Sequence, residues 1–144
     1  MKLERGQSLF EIVVALAISA LVITTLVSLV GISIQNAAFS RNKTLAANYA
    51  QQATEWLREQ RDADIDLFVL NAIGTRCLNT LSWSGPCAAG TVISGTPFTR
   101  QVVFTVTNSG GKNIIQADVS VSWTDSKGAH QVKSATNFTD WRQR

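Results

Sequence analysis

The uncharged run from Ile12 to Ile34 constrains this chain more than any other feature. About 20 apolar residues, each rising roughly 1.5 Å, cross the hydrocarbon of a bilayer, and this run meets that length. Hydroxyl side chains within the run can bond to the backbone one turn earlier and so do not prevent insertion. They are Ser19, Thr24, Thr25, Ser28 and Ser33. The sequence therefore predicts a membrane-spanning helix.

This helix is predicted to stay in the mature protein as an anchor. A cleavable signal peptide has an apolar region of only about 7–15 residues, followed by a cleavage site of small residues. Here the run is longer, and its small-residue pattern, Ala15 and Ala17, lies at its start. Lys2 and Arg5 precede the run, which predicts a cytoplasmic N-terminus and export of the rest of the chain.

Glu11 stands at the head of the apolar run, and no further charge follows until Arg41. One interpretation is simple: a carboxylate in a first helical turn gains about 0.3–1 kcal/mol from the helix dipole and can reach towards water. The other requires a partner, because a carboxylate in an apolar zone is costly unless it is paired. Cleavage after Gly6 would create an α-amino group on Gln7, four residues before Glu11 and on the same helical face. The sequence predicts that this amine, of the same or a neighbouring subunit, pairs with Glu11.

The segment from Arg5 to Leu16, RGQSLFEIVVAL, resembles the N-terminal signature of type IV prepilins and type II secretion pseudopilins. The resemblance implies that a prepilin peptidase cuts after Gly6 and methylates the amine of Gln7. It implies that Glu11 helps subunits to register in a filament. It also implies the pilin-like ladle fold, in which a long N-terminal helix packs on a small antiparallel β-sheet head.

Two departures from the family pattern bear on its details. Gln7 stands where the family usually has Phe or Met, so closure to pyroglutamate remains an alternative to methylation. The proline found within many major pilin anchors is absent, and Gly31 is the weakest helical position, at about 1 kcal/mol against alanine. The second departure favours a minor pilin.

The resemblance also implies the partners of the chain. They are the prepilin peptidase, other pilin or pseudopilin subunits that bind through the N-terminal helix, an inner-membrane assembly platform, and membrane lipid before assembly. The expected location is the inner (cytoplasmic) membrane with an exported head. After assembly it is an extracellular pilus or a periplasmic pseudopilus.

The helical pattern continues beyond the anchor. From Ile34 to about Asp62 there is no Pro or Gly, and apolar residues recur at helical spacing. The stripe predicted to need a cover is Leu45, Tyr49, Ala53 and Trp56. Joined to the anchor, this segment predicts one helix from roughly Ser8 to Asp62, although a separate helix or a coiled coil of dimers remains an alternative. The predicted parts are a leader (1–6), an anchor (7–34), an amphipathic half-helix (35–62) and a head (63–144).

The head is predicted to be a loop followed by an antiparallel meander. The loop runs from Asp62 to about Pro97 and is rich in Gly, Ser, Thr and Asn. Alternating apolar residues then predict three strands, near 98–107, 115–123 and 129–138, with turns between them. One face of this sheet is expected to cover the helical stripe, which gives an α+β fold.

Cys77 and Cys87 are the only cysteines of the chain. In an exported domain such a pair predicts a disulfide, worth about 2–3 kcal/mol for a short loop. Two unpaired thiols are the remaining alternative. A zinc site is disfavoured because the chain has a single histidine, His130.

No pattern in the chain predicts catalysis, a cofactor or a metal site. His130 lies beside a predicted turn and is expected to be a solvated edge residue. Asp62, Asp64 and Asp66 lack the glycine and terminal glutamate of a calcium loop, so an acidic loop that ends the helix is favoured. The sequence therefore predicts a protein that is not an enzyme.

The net charge is +3, and the predicted mature chain keeps +2. Basic residues near the C-terminus, together with Trp141, are of the type that contacts DNA, but a few such residues usually form a solvated surface. These residues are Lys127, Lys133, Arg142 and Arg144.

The predicted function is a structural subunit, a minor pilin of a type IV pilus or related filament. The alternatives are a type II secretion pseudopilin and a non-polymerising single-pass membrane protein with an exported binding head.

Overall fold

The computed structural model describes residues 9–109 and 112–139, with side chains at 9–108 and 114–139. It has an α+β fold with two helices and four strands in the described residues. In chain order these are α1 (Leu9–Ala63), α2 (Ile65–Asn71), β1 (Gly74–Cys77), β2 (Thr99–Ser109), β3 (Lys112–Asp125) and β4 (Gly128–Thr139). The chain divides into two compact units between Arg41 and Asn42, within α1.

In the first unit, residues 9–41 are helical throughout, and the helix continues through Gly31. Four of the five hydroxyl side chains predicted to bond to the backbone inside this apolar segment do so. Each donates to a carbonyl oxygen three or four residues earlier, at 2.7–3.1 Å; the donors are Ser19, Thr24, Thr25 and Ser28. No polar group of these four side chains therefore demands water.

The single long helix was predicted to run from about Ser8 to Asp62. The structure confirms one helix, which ends at Ala63, while Ser8 lies outside the described residues. The alternative of a separate second helix is therefore wrong, because α1 continues across the boundary between the anchor and the amphipathic half.

The second unit contains a four-stranded antiparallel sheet in the order β1-β2-β3-β4. The three predicted strands are confirmed as β2, β3 and β4. At the β3–β4 turn, the Asp125 carboxylate accepts a hydrogen bond from the backbone N–H of Lys127 at 2.8 Å. Gly128 has a φ of +119°, which favours glycine at this position.

The segment predicted as a loop, 62–97, contains α2 and β1. Asp64 begins α2: its carboxylate accepts from the Leu67 N–H at 2.9 Å, as an N-cap does. The strand β1 has four residues and pairs with β2, with Gly74 opposite Phe104. Both elements are too short to produce a periodic pattern, so the expectation of an irregular loop was wrong here.

The second half of α1 packs on one face of the sheet. Ala53, in the predicted stripe, is fully buried, but Leu45, Tyr49 and Trp56 are only half-buried. The centre of the buried face is therefore rotated from the predicted one. The buried positions of α1 are Ala46, Ala50, Ala53, Thr54 and Leu57.

The predicted disulfide between Cys77 and Cys87 is confirmed, with an S–S distance of 2.08 Å. The loop that it closes carries the half-buried Trp83 against aromatic residues of the core. The centroid of the Trp83 ring lies 5.0 Å from that of Trp56 on α1 and 5.9 Å from that of Phe68 on α2. The loop thus helps to cover the inner face of the sheet, a role that the sequence did not indicate.

Candidate assembly site

Glu11 lies in the first turn of α1, and its side chain is exposed. The first N–H groups of an α-helix have no acceptor within the helix, so this end attracts a carboxylate. The predicted cleavage site, Gly6 and Gln7, lies outside the described residues. The pairing of Glu11 with a new amine on Gln7 therefore stays a prediction.

The helix around Glu11 is apolar on all sides. Large apolar side chains from Leu9 to Ile34 are exposed, and Leu9 itself is 80% exposed. An amphipathic surface helix buries an apolar stripe against the protein and exposes a polar stripe to water. The segment from Ile12 to Ile34 has no such polar stripe. An uncovered apolar surface of this size is unfavourable in water and requires lipid or other apolar helices as cover.

By length and composition, α1 contains a segment that could cross a membrane. Residues 9–34 would extend about 39 Å as a helix, enough for the hydrocarbon core of a bilayer, about 30 Å thick. Glu11 is the only charged residue from Leu9 to Ser40. A lone carboxylate at one end of such a segment can bind one cationic group and thereby set the position of a neighbouring helix.

His130 lies on the edge strand β4, but it is less solvated than predicted. Its Nε2 atom is 2.9 Å from Oδ1 of Asp125, and its side chain is 22% exposed. The hydrogen bond from His130, with a second from the Lys127 N–H, lowers the pKa of the Asp125 carboxyl. The pair joins the two strands beside their turn, so its evident role is structural.

Two of the three aspartates near the end of α1 have separate structural roles. Asp64 caps α2, and Asp62 forms an ion pair with Arg61 at 2.7 Å. Among residues 9–109 and 112–139, no group of three or more His, Cys, Asp and Glu side chains is placed to hold a metal ion.

The basic residues considered for DNA contact are only partly described. Lys127 and Lys133 are exposed, whereas Trp141, Arg142 and Arg144 lie outside the described residues. A continuous basic surface therefore cannot be built from the described residues, and DNA contact stays an untested alternative.

Sequence reasoning missed Arg100, which links α1 to the sheet. This residue is 2% exposed, and its guanidinium donates to the carbonyl oxygen atoms of Leu78 at 2.8 Å and Tyr49 at 3.0 Å. On β2, Val102 and Phe104 are also buried. Because the side chains of a strand alternate between its two faces, Arg100 lies on the same inner face as these residues, and this pattern would have predicted its burial.

Comparisons with family models, with curated proteins and with solved structures found no match to this chain.

Proposed function

We propose that this chain is a structural subunit, of the minor pilin type, in a type IV pilus or a related filament. A prepilin peptidase would cut between Gly6 and Gln7. The segment 7–34 would hold the chain in the cytoplasmic membrane before assembly and then join the core of the polymer. One observation carries the proposal: an apolar helix without cover has a lone carboxylate, Glu11, in its first turn.

A role in assembly would explain why a charged residue, Glu11, stands at the start of an apolar helix. Moving an apolar helix from lipid to a bundle of similar helices gains little from the hydrophobic effect, because both surroundings are apolar. Packing and polar contacts must then direct assembly. A carboxylate such as Glu11 is costly without a partner, so it favours the one register in which a neighbouring subunit offers an ammonium group.

The second unit is consistent with an exported head. Its disulfide, Cys77–Cys87, is of the kind that persists in oxidising compartments. A half-helix packed on an antiparallel sheet supports the ladle arrangement that the family resemblance implies. In this proposal the head would remain outside the cytoplasm throughout assembly.

The mature N-terminus tests the proposal directly. The chain is produced in membranes with and without a prepilin peptidase, and its intact mass is measured. We expect a loss of residues 1–6 only with the peptidase, with or without one added methyl group on Gln7. Gly6→Val should block this loss because a larger side chain replaces the glycine at the cut, whereas Leu3→Ala, elsewhere in the leader, should not.

Retention of Met1 in the presence of an active peptidase would overturn the proposal. That result would instead favour the single-pass membrane protein that never polymerises. If cleavage occurs, sheared surface filaments are probed for the chain. Its presence there supports a pilus, and its restriction to the periplasm supports a secretion pseudopilus.

A further inference from the structure

The strand β4 forms one edge of the sheet and has the features of a strand that accepts another strand. It pairs with β3 in an unbroken register from Asp125↔Gly128 to Ile114↔Thr139. Edge strands are usually protected from new pairing by proline, bulges, shortness or several charges. From Gly128 to Thr139 there is no proline, the register has no bulge, and Lys133 is the only Lys, Arg, Asp or Glu.

The cover that α1 gives to β4 is incomplete: Arg61 lies over the buried ring of Phe138, but the middle of the strand is less covered. On β3, the inner-face residues Val119 and Val121 are 1% and 0% exposed. Their β4 partners, Ser134 and Val132, are only half-buried. An additional strand beside β4 would bury the side chains that α1 leaves partly exposed.

A groove of about 600 Å³ lies between α1 and β4. Its floor includes Ser134 and Thr136, and its helical wall includes Gln51 and the ion pair of Glu55 with Arg58, at 2.5 Å. Because the lining is polar, the groove suits small or polar side chains projecting from an extended backbone. It does not suit the bulky apolar side chains that typically anchor a peptide in a hydrophobic groove.

Lys133 is the charged residue of β4 on the outer side of this edge, and Asp118 of β3 lines the same surface cavity. Lys133 is exposed and lies opposite Ser120 of β3. A strand added to β4 would place a side chain beside Lys133 on its open side. Opposite charges across neighbouring strands attract, and like charges repel.

We propose that the β4 edge binds an extended segment of a partner protein as a fifth strand. The segment carries an acidic side chain beside Lys133 and small or polar side chains above the groove. Backbone hydrogen bonds supply affinity, and the alternating side chains supply selectivity. The inference concerns residues 42–139 alone and holds whether or not the chain forms filaments.

A second copy of this chain is a poorer occupant. The strand β4 has no acidic residue to offer. Antiparallel pairing of two β4 strands in the register that sets Lys133 opposite Lys133 would also bring these two side chains together on one face, which like charges disfavour. The partner is therefore a different chain with an acidic residue in its extended segment.

The test uses the full chain in detergent micelles and two 12-residue peptides of alternating serine and valine. One peptide has a central glutamate and the other has lysine in its place. We expect the glutamate peptide to bind about fivefold or more tightly, by fluorescence anisotropy, because of the charge at Lys133. Its binding should slow amide hydrogen exchange in β4. Lys133→Glu should reverse the preference, whereas Lys43→Glu, at an exposed position of α1, should leave it unchanged.

The proposal is overturned if neither peptide binds, or if both bind equally well. It is also overturned if the protected amides lie outside β4, or if Lys133→Glu keeps the preference for glutamate. Protection of β4 that rises with protein concentration in the absence of peptide would identify a second copy as the occupant and would equally refute it.

Discussion

Arg100 is a buried cation surrounded by neutral oxygen atoms. Besides the carbonyl groups of Leu78 and Tyr49, the Gln52 side chain lies 3.5 Å from its guanidinium. Burial lowers the pKa of Arg100, yet an arginine remains charged in proteins. Charge-assisted hydrogen bonds offset the desolvation of this cation. Arg100 thereby connects α1, β2 and the disulfide loop in one network.

Arg100→Lys is expected to lower the free energy of unfolding by about 2–3 kcal/mol, because an ammonium cannot reproduce the planar fork and leaves buried carbonyl groups unpaired. Urea unfolding followed by circular dichroism measures this change. Arg58→Lys is the matched control, since Arg58 forms an exposed pair with Glu55; such pairs contribute about 0–1 kcal/mol. Equal losses in the two variants would contradict the role given to Arg100.

Asp125 gives the β3–β4 turn a dependence on pH. Hydrogen bonds from His130 and from the Lys127 N–H lower the pKa of this carboxyl in the folded state. A carboxyl whose pKa is lower in the folded chain than in the unfolded chain stabilises the fold at pH values above its unfolded-state pKa, about 3.9. This stabilisation is lost as the pH falls through the lower pKa of the folded state. The ionised form of Asp125 is therefore the stabilising one.

Asp125→Asn is expected to lower the melting temperature at pH 7. The difference from the unaltered chain should shrink as pH falls below about 4 and through the lowered pKa of folded Asp125, because the carboxyl of the unaltered chain is then progressively protonated. Thermal unfolding across this range measures both effects. A difference that stays constant with pH would show that the charge of Asp125 does not act through these hydrogen bonds.

The disulfide loop is the element that completes the core of the second unit. Its backbone is attached to β1 at the Cys77 N–H, which donates to the Gly85 carbonyl oxygen at 2.8 Å. The Ser84 hydroxyl donates to the Cys77 carbonyl oxygen at 2.6 Å. These contacts hold Trp83 against aromatic rings of α1, α2 and β2. The loop therefore contributes packing as well as a covalent link.

Replacing both cysteines, Cys77→Ser with Cys87→Ser, should cost about 2–3 kcal/mol of unfolding free energy through loss of the loop constraint. The near-ultraviolet circular dichroism of the folded variant should also change, since Trp83 loses its fixed position among other rings. Trp83→Phe with the disulfide intact is the control for packing alone. An unchanged unfolding midpoint in the double variant would refute a stabilising role for the bridge.

For the chain as a whole, the proposed function separates insertion from assembly. Insertion depends on the apolar length of residues 12–34, whereas assembly depends on the charge of Glu11. Glu11→Ala should therefore leave membrane insertion and the disulfide-bonded head intact. Its incorporation into sheared filaments should fall about tenfold or more, since a lost contact of about 1.4 kcal/mol already changes an equilibrium tenfold.

Quantitative blotting of sheared filaments and of membranes measures these two steps for Glu11→Ala. Ser19→Ala is a matched control, because the Ser19 hydroxyl bonds to the Ala15 carbonyl oxygen of its own helix at 2.7 Å. Normal incorporation of Glu11→Ala would remove the assembly role of this carboxylate. A loss of insertion would show instead that the charge acts at the membrane.

Local patterns were enough to predict the long helix, the strands β2, β3 and β4, and the Cys77–Cys87 bridge. Each of these predictions depends on periodicity, on turn residues or on the number of cysteines, and all three can be read from the sequence before the fold is known. The short elements α2 and β1, the buried face of α1 and the burial of Arg100 could not be predicted in this way. They depend on contacts between distant segments, such as Gly74 with Phe104 and Arg100 with Tyr49, which form only when α1, the disulfide loop and the sheet pack together.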